Sequence, residues 1–174
     1  MSLAPPRQPH HVTFAIETSG LAAWHGDRVI CICAVDSRGD AYHASQPDEH
    51  QIIMGFIGWL LAHKAEDFFL LTRNGKIFHV PFLCARIEMD PELSEAERKE
   101  LTNRLLAYDH MDLQEVQKGK GPRRELPDIL NRTPDSGSRR YAYRLWKKGH
   151  YEKLIKYAMK AVTSTQEAFL AQRK

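Results

Sequence analysis

Cysteine is scarce: the 174 residues hold three, Cys31, Cys33 and Cys84. Two of them lie two apart in an apolar run, so they read as small core residues, and neither a disulfide framework nor a cysteine-based zinc site is expected. No apolar run approaches the roughly 20 residues of a membrane-spanning helix. The first eleven residues contain Pro5, Pro6 and Pro9 but no apolar stretch of the kind an export signal carries. They are expected to be a flexible lead-in, and the protein to be cytoplasmic with no membrane partner. Repeats and low-complexity tracts are missing as well, so residues 12–174 are expected to form one domain with a sizeable core.

Acidic residues are also scarce in one quarter of the chain. Residues 118–160 carry 13 Lys and Arg against 4 Asp and Glu, whereas residues 1–117 carry 10 against 17. The net charge of +3 therefore conceals an acidic front and a strongly basic stretch. Clustered positive charge is the electrostatic footprint of a polyanion binder, and a solvated helical face produces the same count.

Against this background the periodicities are clear. Val12–Ile16 is a short β-rich run closed by Glu17-Thr18-Ser19-Gly20-Leu21, and Arg28–Val35 alternates with β-branched residues before a turn at Ser37-Arg38-Gly39-Asp40 leads into Ala41–Ala44. Three strands joined so closely predict an antiparallel meander. From Asp48 to Lys64 the apolar residues Ile52, Ile53, Phe56, Ile57, Leu60 and Leu61 recur at helical spacing. A strand at Phe68–Leu71 then runs into Asn74-Gly75 and a helix holding Phe82, Leu83 and Ile87, with glycine supplying a positive φ in the turn and Pro81 tolerated at the helix start. Ser94 and Glu97 form a capping box for a helix to about Ala107, and His110–Leu113 is a short strand. The glycines and proline of 118–124 predict an irregular basic loop. Beyond it are expected a short helix from Leu126 to Arg132, a linker from Thr133 to Ser138, a helix from Tyr141 to Lys148 and a long last helix from His150. Strand, crossover helix and strand together imply an α/β fold with a mixed five-stranded sheet, the antiparallel meander plus parallel strands, covered by helices on both faces.

Three motifs stand in order along these elements. Ala15-Ile16-Glu17-Thr18-Ser19-Gly20-Leu21 ends the first strand, Asn74-Gly75 precedes Phe78-His79-Val80-Pro81-Phe82-Leu83, and Tyr157-Ala158-Met159-Lys160-Ala161-Val162 lies on the last helix. With His110-Met111-Asp112-Leu113 they resemble the motif frame of the DEDD 3′-to-5′ exonucleases, Tyr subclass, of the ribonuclease H-like superfamily. The resemblance spans most of residues 12–165. In that family four carboxylates hold two divalent metals that activate water and stabilise the leaving oxygen. Its acidic positions fall on Ala15, Glu17, His79 and Ala161, and its water-orienting tyrosine on Tyr157. Only Glu17 keeps a carboxylate. Mg²⁺ demands oxygen ligands in octahedral geometry, so the resemblance implies a frame whose chemistry has been lost. No cofactor is expected, with Mg²⁺ or Mn²⁺ relevant only to residual nuclease activity.

Glu17 and His79, with a further histidine such as His150, are Zn²⁺ or Mn²⁺ ligands by residue type, though no Cys-x-x-Cys or His-x-x-x-His spacing supports such a site. The plainer readings are Glu17 as a turn partner, His79 as a surface residue beside a proline, and Tyr157 as half-buried core. For contacts to nucleic acid the sequence offers Asn74 in the turn and Lys118, Lys120, Arg123, Arg124, Arg139, Arg140 and Arg144, interleaved with Tyr141, Tyr143 and Trp146. The leading expectation is an exonuclease-like domain that binds single-stranded or 3′-terminal DNA or RNA without cutting it. An active metal-dependent 3′-to-5′ exonuclease with an altered site, and a protein-interaction scaffold on the same fold, are the alternatives.

Overall fold

The computed structural model describes residues 10–63, 68–118 and 136–172. Their strands are β1 (His10–Thr18), β2 (Val29–Asp36), β3 (Ala41–Ala44), β4 (Phe68–Thr72) and β5 (His110–Asp112). They form one sheet in the order β3-β2-β1-β4-β5. β3, β2 and β1 pair antiparallel, whereas β4 lies parallel to β1 and β5 parallel to β4. The expected mixed sheet is therefore the one observed. β1 begins two residues before the boundary read from the sequence, because His10 and His11 pair with Phe68 and Phe69. At its other end Glu17 and Thr18, expected in a turn, remain in the strand.

Alternation along β1 divides the molecule into two layers. Val12, Phe14 and Ile16 point into a core shared with helices α1 (Glu49–Ala62), α2 (Val80–Glu88) and α3 (Glu95–Ala107). Ala15 points into the opposite core with Ile30, Cys31 and Cys33 of β2. That core is covered by α5 (Ser136–Lys147), through Ala142 and Leu145, and by α6 (Tyr151–Ala171), through Leu154, Ala158 and Val162. A short α4 (Leu113–Lys118) follows β5. Near its C-terminal end α6 also buries Ala168 and Phe169 with Leu71 and Leu113.

Side chains cap two of the helices. Asp48 caps α1 by accepting from the Gln51 N–H, and Ser94 with Glu97 forms the full capping box of α3. Between α1 and α2 lies a polar clamp. The buried Glu49 carboxylate accepts from the Val29 N–H at 2.6 Å and from Arg86 Nε and Nη2 at 2.9 and 2.7 Å, while Arg86 Nη1 reaches the Ala23 carbonyl at 3.1 Å.

α5 begins at Ser136, five residues earlier than Tyr141 and inside the expected linker. Lys118, placed in the irregular loop from sequence, is the last residue of α4. The rest of the basic loop and the expected helix at 126–132 lie outside the described residues. No helix among the described residues is long and apolar enough to cross a membrane.

Candidate functional site

The site is built on β1 and α6. Ala15 and Glu17 are two apart on one strand and share a face. Their antiparallel partners Cys33 and Cys31 line the core beneath α6. The Cys33 thiol reaches the Ile155 carbonyl of α6 at 3.7 Å. Tyr157 and Ala161, one turn apart on α6, pack half-buried against this same core. The fold thus gathers Ala15, Glu17, Tyr157 and Ala161 on one side of the sheet, and Cys31 beneath them titrates high because of its hydrogen bond to Cys33, its burial and the neighbouring charges of Cys33 and Glu17. A thiol held protonated in this way is not a nucleophile.

His79 has different neighbours. β4 passes into α2 through a π-helical turn, Gly75–His79, and Pro81 stands in the first turn of α2. The buried Asp112 carboxylate at the end of β5 shapes this turn. It accepts the N–H of Asn74 at 2.9 Å and of Lys76 at 3.0 Å from the turn, and that of Gln114 at 3.0 Å from α4. The His79 ring lies 5.9 Å from Phe14 and 5.9 Å from Phe78, centroid to centroid. Its Nδ1 is buried and hydrogen-bonds to none of the described groups. Burial lowers its pKa to about 4, with Asp112 opposing and His110 assisting. A surface histidine was expected here. The π turn instead folds the ring inward against Phe14, whose side chain faces the α1–α3 side of β1, away from Ala15. His110 beside it bonds Thr72 Oγ1 through Nε2 at 2.6 Å and is also lowered by burial.

The residues present do not fit a pair of hard divalent cations. Two of the positions are methyl groups, Ala15 being only 8% exposed, and the imidazole at the third is half-buried beside the rings of Phe14 and Phe78. The described residues that could jointly hold a metal ion form two groups, His10 with Asp36 and His63, and His50 with Asp90 and Glu92. Glu17, His79 and His150 belong to neither, so the structure does not assemble the alternative metal set read from the sequence.

The basic helix α5 borders this face. Its exposed residues Arg140, Tyr141, Arg144 and Lys147 continue into exposed Lys148, while Ala142 and Leu145 are buried. The Tyr141 ring, 43% exposed, lies edge-on to Tyr157 at 5.4 Å, which joins the basic helix to the Ala15–Ala161 face. The other two aromatics serve the fold. Trp146 Nε1 donates to the Gln46 carbonyl at 3.0 Å beneath the Arg28 guanidinium, and Tyr143 stacks on Trp146 under Lys147 Nζ at 5.0 Å. Asn74 is half-buried in the left-handed region at φ 65°. Arg139 lies in α5 and Lys118 ends α4. Lys120, Arg123 and Arg124 fall outside the described residues. The sequence reading gave Asp112 no role; its only sequence signal was the His110-Met111-Asp112-Leu113 pattern.

The sheet order, the two helical layers and the last helix over β1 define a ribonuclease H-like fold. Among solved structures, the chain is similar to the family B DNA polymerase of the hyperthermophilic archaeon Pyrobaculum calidifontis, with a TM-score of 0.68 at 14% identity over 98% of this chain. The match takes in 25% of the polymerase chain, so this protein spans about a quarter of its length. Weaker likenesses are to exonuclease I in its apo form, at TM-score 0.46 and 16% identity over 93% of this chain and 41% of that one, and to the metal-free E. coli ExoI–ssDNA complex, at 0.38 and 13% over 86% and 42%. No protein-family model matches the chain, and no curated protein does.

Proposed function

We propose that this chain is a DEDD-type, Tyr-subclass exonuclease domain that has lost three of its four metal carboxylates and binds single-stranded or 3′-terminal nucleic acid without hydrolysing it. One observation carries the reading: Ala15, Glu17, Tyr157 and Ala161 share one face, and exposed Tyr141 of a basic helix lies against Tyr157. Methyl groups at Ala15 and Ala161 leave Glu17 as the one carboxylate of that frame on the face, and one carboxylate does not hold two metals. Arg140, Arg144 and Lys148 supply phosphate neutralisation beside it, and Tyr141 supplies a π-face for one unpaired base.

The test is fluorescence anisotropy of short single-stranded DNA and RNA in EDTA across a salt titration. Binding at micromolar concentration or tighter, weakening with salt, supports a metal-independent binder. No binding at low salt would move the protein-interaction reading to first place. A labelled-oligonucleotide gel with Mg²⁺ or Mn²⁺ covers the enzyme alternative: progressive 3′ shortening that is abolished by Glu17→Gln would overturn the proposal.

A further inference from the structure

At the opposite end of β1 from Glu17, three elements converge on one carboxylate. Asp36 closes β2, His10 opens β1, and His63 terminates α1. The Asp36 side chain is buried and divided in its tasks. Its Oδ1 accepts the N–H groups of Arg38 and Asp40, both at 2.8 Å, and so holds the β2–β3 turn. Its Oδ2 faces the two imidazoles, 3.5 Å from His63 Nε2 and 3.8 Å from His10 Nε2.

Each ring is oriented from behind. His63 Nδ1 lies 2.9 Å from the Trp59 carbonyl, which can only accept, so Nδ1 carries the proton and the neutral ring turns its Nε2 lone pair toward Asp36. His10 Nδ1 is bonded to Ser37 Oγ. Phe68 packs edge-on to both rings, at 6.0 and 5.8 Å, and Trp59 packs edge-on to His63 at 4.5 Å, which gives the cluster an apolar wall. Asp40 Oδ2 lies 4.0 Å from His63 Nε2 and is itself held by Trp59 Nε1 at 3.0 Å.

A lone pair facing a carboxylate oxygen is repulsive unless a proton or a metal ion lies between them, and 3.5 and 3.8 Å are longer than the roughly 2.7–2.9 Å of a charge-assisted hydrogen bond, which leaves room for a metal ion. Four-coordinate Zn²⁺, with bonds of about 2.0 Å, places its ligand atoms about 3.3 Å apart. The two nitrogen-to-Asp36 distances, 3.5 and 3.8 Å, exceed this by only a few tenths of an ångström, and all three ligand atoms lie within 4.8 Å of one another. Two imidazoles and one carboxylate, with backing hydrogen bonds, form a borderline-soft donor set that suits zinc better than magnesium or calcium.

We propose that His10, Asp36 and His63 form a structural Zn²⁺ site, with the Asp40 carboxylate or water in the fourth position. The ion would fasten the start of β1, the β2–β3 turn and the end of α1 together. This site is independent of the nucleic-acid reading.

The experiment uses the full chain, freed of any affinity tag and of metal, titrated with ZnCl₂ by calorimetry and with Co²⁺ by visible spectroscopy. One equivalent of zinc at micromolar affinity or better is expected, together with the d–d bands of four-coordinate Co²⁺. With zinc at a hundredfold excess over Kd, Tm should rise by about 5–10 °C. Because Asp36 also holds the turn, His63→Gln is the decisive variant. It should weaken zinc binding by tenfold or more and abolish the Co²⁺ bands, whereas His50→Gln, in the second cluster, should leave both unchanged. Absence of stoichiometric zinc, full retention in His63→Gln, or loss in His50→Gln would each overturn the assignment.

Discussion

Gly75 is where one atom decides the local structure. Glycine was expected there for a positive φ, but that conformation falls on Asn74, at φ 65°. What Gly75 supplies is space, since a Cβ at this position would lie 2.0 Å from Thr72 Oγ1, whose hydroxyl is bonded to His110. Gly75→Ala should therefore cost about 2–3 kcal/mol through overpacking and a disturbed hydrogen bond, read as a Tm loss of about 5–10 °C. A variant as stable as wild type would refute this packing.

His79 has a residue-scale signature in acid. Above pH 6.5 its imidazole is neutral in both folded and unfolded chains and contributes no pH dependence. Between 6.5 and about 4 the unfolded chain binds a proton that the folded chain refuses, so stability falls as pH falls, by up to about 3 kcal/mol. Urea unfolding of wild type and His79→Gln across this range should show a shallower acid loss in the variant, and parallel profiles would refute it.

Among the elements, the clamp between α1 and α2 invites the sharpest test. Glu49 lies on α1 and Arg86 on α2, and the buried pair also secures the start of β2 and the Ala23 carbonyl. Arg86→Ala leaves a buried carboxylate short of its counter-ion and should cost about 3–5 kcal/mol. The apolar double variant Glu49→Leu/Arg86→Met should cost less than the single one. Equilibrium unfolding that finds the single change worth under about 1 kcal/mol would show the pair to be incidental.

α5 divides its residues between packing and surface, and its prediction follows from that division. Arg140, Arg144 and Lys148 are exposed on or just beyond the helix, whereas Trp146 and Tyr143 are held by the fold. Three phosphate contacts on a single strand correspond to a salt slope of about −2 in log Kobs against log salt. The triple change of these cations to Ala should bring that slope toward zero while leaving the Tm within about 2 °C. A slope unchanged by the triple variant would place the binding surface elsewhere.

For the whole molecule, the frame can be tested by rebuilding it. Ala15→Asp with Ala161→Asp and His79→Asp should give a folded protein that binds Mn²⁺ by calorimetry in excess of any taken up by wild type. The first two changes place carboxylates on the face of Glu17. The third must also turn the π segment, because His79 now faces Phe14. A folded variant without Mn²⁺ binding would count against the motif assignment itself.

The sequence by itself determined the elements, because their signals are local. Strand alternation, the helical recurrence of Ile52, Phe56 and Leu60, and the Ser94–Glu97 box act over a few residues, and each produced its element. It also determined that Ala15 and Ala161 supply no metal ligand, since a methyl group has no lone pair. Only the tertiary structure decided the rest. That the His79 Nδ1 is turned inward follows from the clamp of Asp112, 33 residues away, on the turn before it. Trp146 is withheld from ligand by a carbonyl 100 residues distant, and Glu49 finds its counter-ion 37 residues on. Such partnerships depend on how the sheet lays its crossovers against one another, and no pattern along the chain encodes that distance.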